Sequence, residues 1–144
     1  MKIATILFGE VEIQEENVID FPLGIPGFPE EQQFVFLHIP DTPFMSMQSV
    51  TSQVHFVVMN PFELFKDYEF DIPDPVIECL QIDGPENVAT WVIVTLRDDI
   101  AQSTANMQAP AIVNSQSRKG RQLVLHQYQI RQPIFTPAPV GLLG

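Results

Sequence analysis

Proline and glycine cut this chain into short pieces. Thirteen prolines and seven glycines are spread over 144 residues. Proline fixes φ and removes an amide donor, so a long helix or a broad central strand cannot absorb many of them. Between the breaks lie apolar runs rich in valine, isoleucine and phenylalanine, at residues 2–8, 33–39, 44–50, 54–59 and 89–96. Runs of that length bounded by turn residues read as strands. A mostly β architecture is therefore expected. The length suits one domain with a real core.

Charge narrows the partners. Eighteen acidic and seven basic residues leave a formal net charge of −11. Such a surface repels nucleic acid and anionic lipid at long range and steers towards basic surfaces. A single cysteine, Cys79, permits no intrachain disulfide and fits the cytoplasm. The N-terminal apolar run stops at Gly9-Glu10, too soon for a signal peptide. No segment approaches membrane-spanning length. Cytoplasmic localisation is the expectation.

Taken in order, residues 2–8 form a strand, Gly9-Glu10 turns it, and residues 11–13 return. A short strand at 18–21 leads into Phe21-Pro-Leu-Gly-Ile-Pro-Gly-Phe28, an ordered loop pinned by Phe21, Ile25 and Phe28. Residues 30–32 suit a single helical turn. Strand 44–50 pairs with 54–59 across Thr51-Ser-Gln53, with Phe56 and Val58 on one face and Val57 and Met59 on the other. Asp74 as cap, Pro75 at the first helical position and the stripe Val76, Ile77 and Leu80 predict a short helix near 74–81. Cys79 reads as a small buried residue on its apolar side. Strand 89–96 is the most hydrophobic and the natural centre of the sheet. After Gln132, prolines at 133, 137 and 139 deny regular hydrogen bonding, and the Pro-rich tail 135–144 is expected to be mobile.

Residues 104–125 read as a strand, a basic turn and a second strand. Ala111, Ile112 and Val113 suit a half-buried pleated surface. Pro110 marks a bulge or an edge, and Gly120 supplies the positive φ of a tight connection. Asn106, Gln108 and Asn114 lie within the strand pattern, either paired inside the protein or facing a partner. Arg118-Lys-Gly-Arg121 holds three of the seven positive charges, best read as a local salt-bridge partner or a positioning clamp. Tyr68-Glu-Phe-Asp-Ile72 sets aromatic anchors beside carboxylates, as binding surfaces do. Its other reading is a core strand with solvated alternates.

Four strings resemble the FliW family of flagellar assembly factors. They are Asn106-Met-Gln-Ala-Pro110 with Asn114 and Arg118-Lys-Gly-Arg-Gln122; the loop from Phe21 to Phe28; Pro43-Phe44 with Gln48-Ser49; and the stretch from Asn60 to Pro73. The resemblance covers residues 2–134. It implies a small single-domain antiparallel β-barrel-like fold and no catalysis. It also implies two partners, the RNA-binding regulator CsrA and the C-terminal region of flagellin. The protein would be a monomer when free, with no direct contact to nucleic acid or membrane. Carried onto this chain, the contact residues are Glu69, Phe70, Asp71, Asn106, Gln108, Asn114, Arg118 and Gly120.

Chemistry finds little footing. His38, His55 and His126 sit on separate strands without zinc-ligand spacing. Ser49, Ser115 and Ser117 lack a nucleophile elbow. The acidic pairs Glu15-Glu16, Glu30-Glu31 and Asp98-Asp99 fall in turns, where solvation explains them. No catalytic, cofactor or metal site is assigned. The alternative function is a β-barrel small-ligand binder or enzyme with a pocket at the barrel mouth.

Overall fold

The structure is a computed structural model that describes residues 1–135. The expected mobile tail lies outside the described residues beyond Phe135. In chain order the elements are β1 (Lys2–Thr5), β2 (Gly9–Glu12), β3 (Ile19–Asp20), β4 (Gln33–His38), β5 (Met45–Ser49), β6 (His55–Met59), α1 (Pro61–Leu64), α2 (Asp74–Leu80), β7 (Val88–Thr95), β8 (Thr104–Ala105), β9 (Ala111–Asn114), β10 (Lys119–Gln122) and β11 (Gln132–Pro133).

Seven strands close a barrel in the order β7-β6-β5-β4-β3-β10-β9, with β9 returning to β7. The pairing is antiparallel except at one seam. There β3 runs parallel to β10 through Lys119 and Asp20, and the Asp20 amide donates to the Arg118 carbonyl at 2.8 Å. The end of β7 also carries β8, and β8 carries β11. The hairpin β1–β2 forms a separate two-stranded ribbon.

Alternation along the strands sorts the side chains into layers. Phe34, Met47, Phe56, Val58, Trp91, Ile93, Ala111 and Val113 point into the barrel and fill it with Phe21 and Ile25. Outside, Met59, Val92, Val94 and Ile112 carry α2, Tyr68 and the C-terminal segment through Ile134. On another outer face, Val35 and Leu37 hold the hairpin through Ile3, Val11 and Ile13. Strands apolar on both faces are thus explained, since helices or a ribbon cover the outside.

Several local expectations need correcting. Residues 30–32 form no helix; a backbone bond from the Glu31 amide to the Phe28 carbonyl closes a turn instead. Helix α2 begins with Asp74 rather than being capped by it. Pro73 is the half-in residue, and no side chain caps this end. A second helix, α1, was unforeseen, although Asn60 caps it by accepting from the Phe62 amide at 2.9 Å. Cys79 is exposed, because the buried stripe of α2 runs through Val76 and Leu80. The strand expected from residue 104 breaks at 106–110, and Pro110 ends that break just before β9. Pro133 lies in β11 after all; this edge strand pairs only with β8, so no second neighbour misses its amide. His126 sits in a turn, not a strand.

Candidate functional site

The acids and aromatics of residues 62–72 line a cleft of about 850 Å³ on the outside of the barrel. Its other wall is α2 and the turn after it, through Ile77, Ile82 and Asp83. Val88 and Thr90, on the outer face of β7, complete the lining. The cleft is therefore not at a barrel mouth, and the barrel interior is occupied by side chains.

Aromatic packing shapes one wall. Phe62 and Phe70 stack with centroids 6.4 Å apart and planes 17° apart. Tyr68 touches both rings, at 5.7 Å and 5.4 Å, and meets Tyr128 edge-on at 4.6 Å. Tyr68 is buried and donates its hydroxyl to the Met107 carbonyl at 2.7 Å. Burial, and then the nearby Tyr128, raise its phenol well above the usual range, so it remains a donor. The Tyr128 hydroxyl donates to the Glu69 carbonyl at 2.8 Å and accepts from the Glu69 amide at 3.0 Å. The segment has no ladder of its own, yet its backbone is tied down at residue 69. Phe62 stays 39% exposed and Phe70 half-buried, so both rings present apolar area to solvent.

The other wall is held by β9. Asn114 is buried and donates through Nδ2 to the Leu80 carbonyl at 2.8 Å and the Gln81 carbonyl at 3.0 Å. Ser117 donates to the same Leu80 carbonyl at 2.7 Å. These bonds satisfy the last carbonyls of α2, which a helix end otherwise leaves to water. Gln81, in the left-handed region at φ 57°, ends the helix there.

The remaining sequence-derived candidates lie away from the cleft. Asn106 accepts from the Gln108 amide at 3.1 Å, forming the turn that breaks the strand. Gln108 is half-buried, and its carbonyl receives the Leu125 amide. Arg118 donates to the Glu15 carbonyl at 3.0 Å, acting as a clamp on the turn before β3. It also takes the positive φ, 58°, that was expected of Gly120. Gly120 sits inside β10 for a different reason. A Cβ there would lie 2.5 Å from the ring of Phe21. Of the eight candidates, the structure thus brings Glu69, Phe70 and Asp71 together in the cleft, with Asn114 supporting its far wall.

Sequence reading missed Phe62, Ile77, Ile82 and Asp83 as lining residues. The signal was present: residues 61–86 hold eight of the 18 carboxylates and one of the seven cations. Glu69, Asp71, Asp74 and Asp83 line the cleft, and no basic side chain does. Glu31, expected to be a solvated turn residue, is instead buried and takes bonds from Ser49 at 2.6 Å and Ser52 at 2.7 Å. Those bonds, Ser49 first, hold its carboxyl below the usual value. Among the described residues no group of His, Cys, Asp or Glu is arranged to hold a metal. No helix there is long and apolar enough to cross a membrane.

A family model described as FliW protein matches residues 2–134. The flagellar assembly factor FliW of Geobacillus thermodenitrificans (strain NG80-2) is 48% identical over 138 residues, which are 94% of this chain and 96% of that protein. The factor of the same name from Bacillus subtilis (strain 168) is 44% identical over 138 residues, covering 93% and 96%. A crystal structure of the flagellar assembly factor FliW superposes with a TM-score of 0.91 at 42% identity, covering 96% of this chain and 100% of that one. A family model over residues 2–134, relatives at 44% and 48% identity over nearly their whole length and a matching solved barrel place the chain in the FliW family of flagellar assembly factors.

Proposed function

We propose that this protein binds the translational regulator CsrA and prevents it from repressing flagellin synthesis. In this reading it is itself sequestered by the C-terminal region of flagellin. When flagellin accumulates, the factor is occupied and CsrA is free to repress. When flagellin is exported, the factor is released and titrates CsrA. The protein acts in the cytoplasm, is a monomer when free, makes or breaks no covalent bond, and touches neither nucleic acid nor membrane directly.

The observation that carries this reading is a FliW-family barrel whose outer cleft is lined by four carboxylates and no cation. An RNA-binding partner must carry positive charge to hold phosphates. An acidic body docked beside that surface attracts it and repels RNA without covering the whole RNA site. Isothermal titration of the purified protein against cognate CsrA, then against flagellin, then in competition, tests it. Saturable binding to each, with flagellin displacing CsrA, is expected. No heat with either partner at micromolar concentration ends the proposal.

A further inference from the structure

We infer that the cleft between the 62–72 segment and α2 is the seat of one cationic amphipathic segment of a protein partner, an apolar face flanked by lysine or arginine. The inference rests on the reading above for who the partner is, but not for the chemistry of the seat. Its walls are apolar at Phe62 and Phe70 on one side and at Ile77 and Ile82 on the other. Its acids lie on both sides: Glu69 and Asp71 on the tied-down segment, Asp74 at the start of α2 and Asp83 in the turn after it. Apolar walls and acidic side chains together exclude an acidic peptide and disfavour a purely polar cation, which would leave the aromatic area wet.

Preorganisation supports a docking role. The Tyr128 clamp at Glu69, the Tyr68 bond to Met107 and the Asn114 bonds to Leu80 and Gln81 fix both walls before anything binds. Fixed walls lower the ordering cost of association. Asp71 and Asp83 are exposed and form no ion pair among the described residues, so their charge is available to a ligand. The exposed edges of Phe62 and Phe70 have the character of an anchor site, an aromatic surface ringed by polar groups.

The test uses the full chain and three fluorescent peptides of equal length, with Leu and Lys at helical spacing, Leu and Glu, or Ser and Lys. Fluorescence anisotropy should show binding of the Leu–Lys peptide alone. Phe70→Ala, and Phe62→Ala as a second anchor variant on a more exposed ring, should each weaken it about tenfold. Asp71→Asn with Asp83→Asn should weaken it roughly three- to tenfold. Glu10→Gln with Glu12→Gln on the distant hairpin removes the same charge and should change it less than about twofold. Thermal melting confirms that each variant is folded. The Ser–Lys peptide binding as tightly as Leu–Lys, or the hairpin variant losing as much as the cleft variant, overturns the inference as generic attraction. The same variants are then titrated with CsrA. If CsrA binds all of them like the wild type, the regulatory function stands and the cleft is not its seat. If CsrA ignores the wild type while the Leu–Lys peptide behaves as expected, the cleft chemistry stands and the regulatory function falls.

Discussion

At Gly120 a Cβ would lie 2.5 Å from Phe21 Cζ and 2.8 and 2.9 Å from two further ring atoms, in a barrel where Phe21 is fully buried. The ring is enclosed, with Phe34 edge-on at 5.6 Å, so Gly120→Ala overpacks the barrel. Overpacking of this kind costs about 1–3 kcal/mol, to be read as a lower urea midpoint with an unchanged slope. Asn114 makes a different demand. Asn114→Ala strips the Gln81 carbonyl of its side-chain donor, leaves the Leu80 carbonyl to Ser117 alone, and should cost about 1–3 kcal/mol. Ser117→Ala should cost less, about 0.5–1.5 kcal/mol, since Asn114 still serves the Leu80 carbonyl. Glu31 gives a pH dependence with a definite sign. Bonds from Ser49 and Ser52 lower its folded pKa below the unfolded value of 4.5. Its contribution is therefore present above pH 4.5 and lost as pH falls through the lower folded value. Urea midpoints of Glu31→Gln measured between pH 7 and pH 3 should decline less steeply than those of the wild type; equal slopes would show that Glu31 does not drive the acid limb.

Among the elements, strands β4 to β7 were legible because each is a short apolar run bounded by turn residues, a signal written locally. So was α2, whose stripe and flanking prolines need no distant partner to be read. What stayed hidden depends on residues far apart in sequence. Gly120 meets Phe21 from the other end of the chain, and Glu31 finds its hydroxyls on the β5–β6 turn. The parallel seam between β3 and β10 is a single residue pair, too brief to leave a pattern. The amide-rich strand was half understood: Asn114 does pair inside the protein, but with a helix that precedes it by 33 and 34 residues. The cleft was visible as a cluster of acids and aromatics, while its second wall was not. Each wall is tied to a distant part of the chain, the first by Tyr128, 59 residues from Glu69, and the second by Asn114. Tyr128→Phe deletes both bonds to residue 69 and leaves the ring packing. Hydrogen exchange at the Glu69 amide should accelerate roughly fivefold, corresponding to about 1 kcal/mol of lost local protection, with little change at the barrel amides. A uniform rise across the barrel would instead make Tyr128 a determinant of global stability.

The molecule as a whole is a barrel with its charge unevenly placed. The crossover from β6 to β7 carries α1, α2 and the cleft, and residues 61–86 supply −7 of the net −11. Three of the seven cations sit together at 118–121, in the turn and second strand of the hairpin β9–β10. Neither ion pair among the described residues, Met1 with Glu12 and Lys2 with Glu10, involves that turn or the crossover. The folded state therefore gains little from the crossover acids, which repel one another, and their concentration on one element calls for a role outside the fold. Under the proposed function, that role is the steering of a basic partner. It acts on encounter more than on residence, because long-range attraction is largely spent once the surfaces touch. Raising ionic strength from about 0.1 M to about 1 M shortens the Debye length from about 10 Å to about 3 Å. For the proposed complex with CsrA, the association rate constant measured by stopped flow should then fall roughly tenfold or more, while the dissociation rate constant changes only about two- to threefold. Asp71→Asn with Asp83→Asn should flatten that salt dependence, and Phe70→Ala should leave it intact while speeding dissociation. If salt instead moves only the dissociation rate, the carboxylates act as contacts inside the bound interface, and steering by the crossover is refuted.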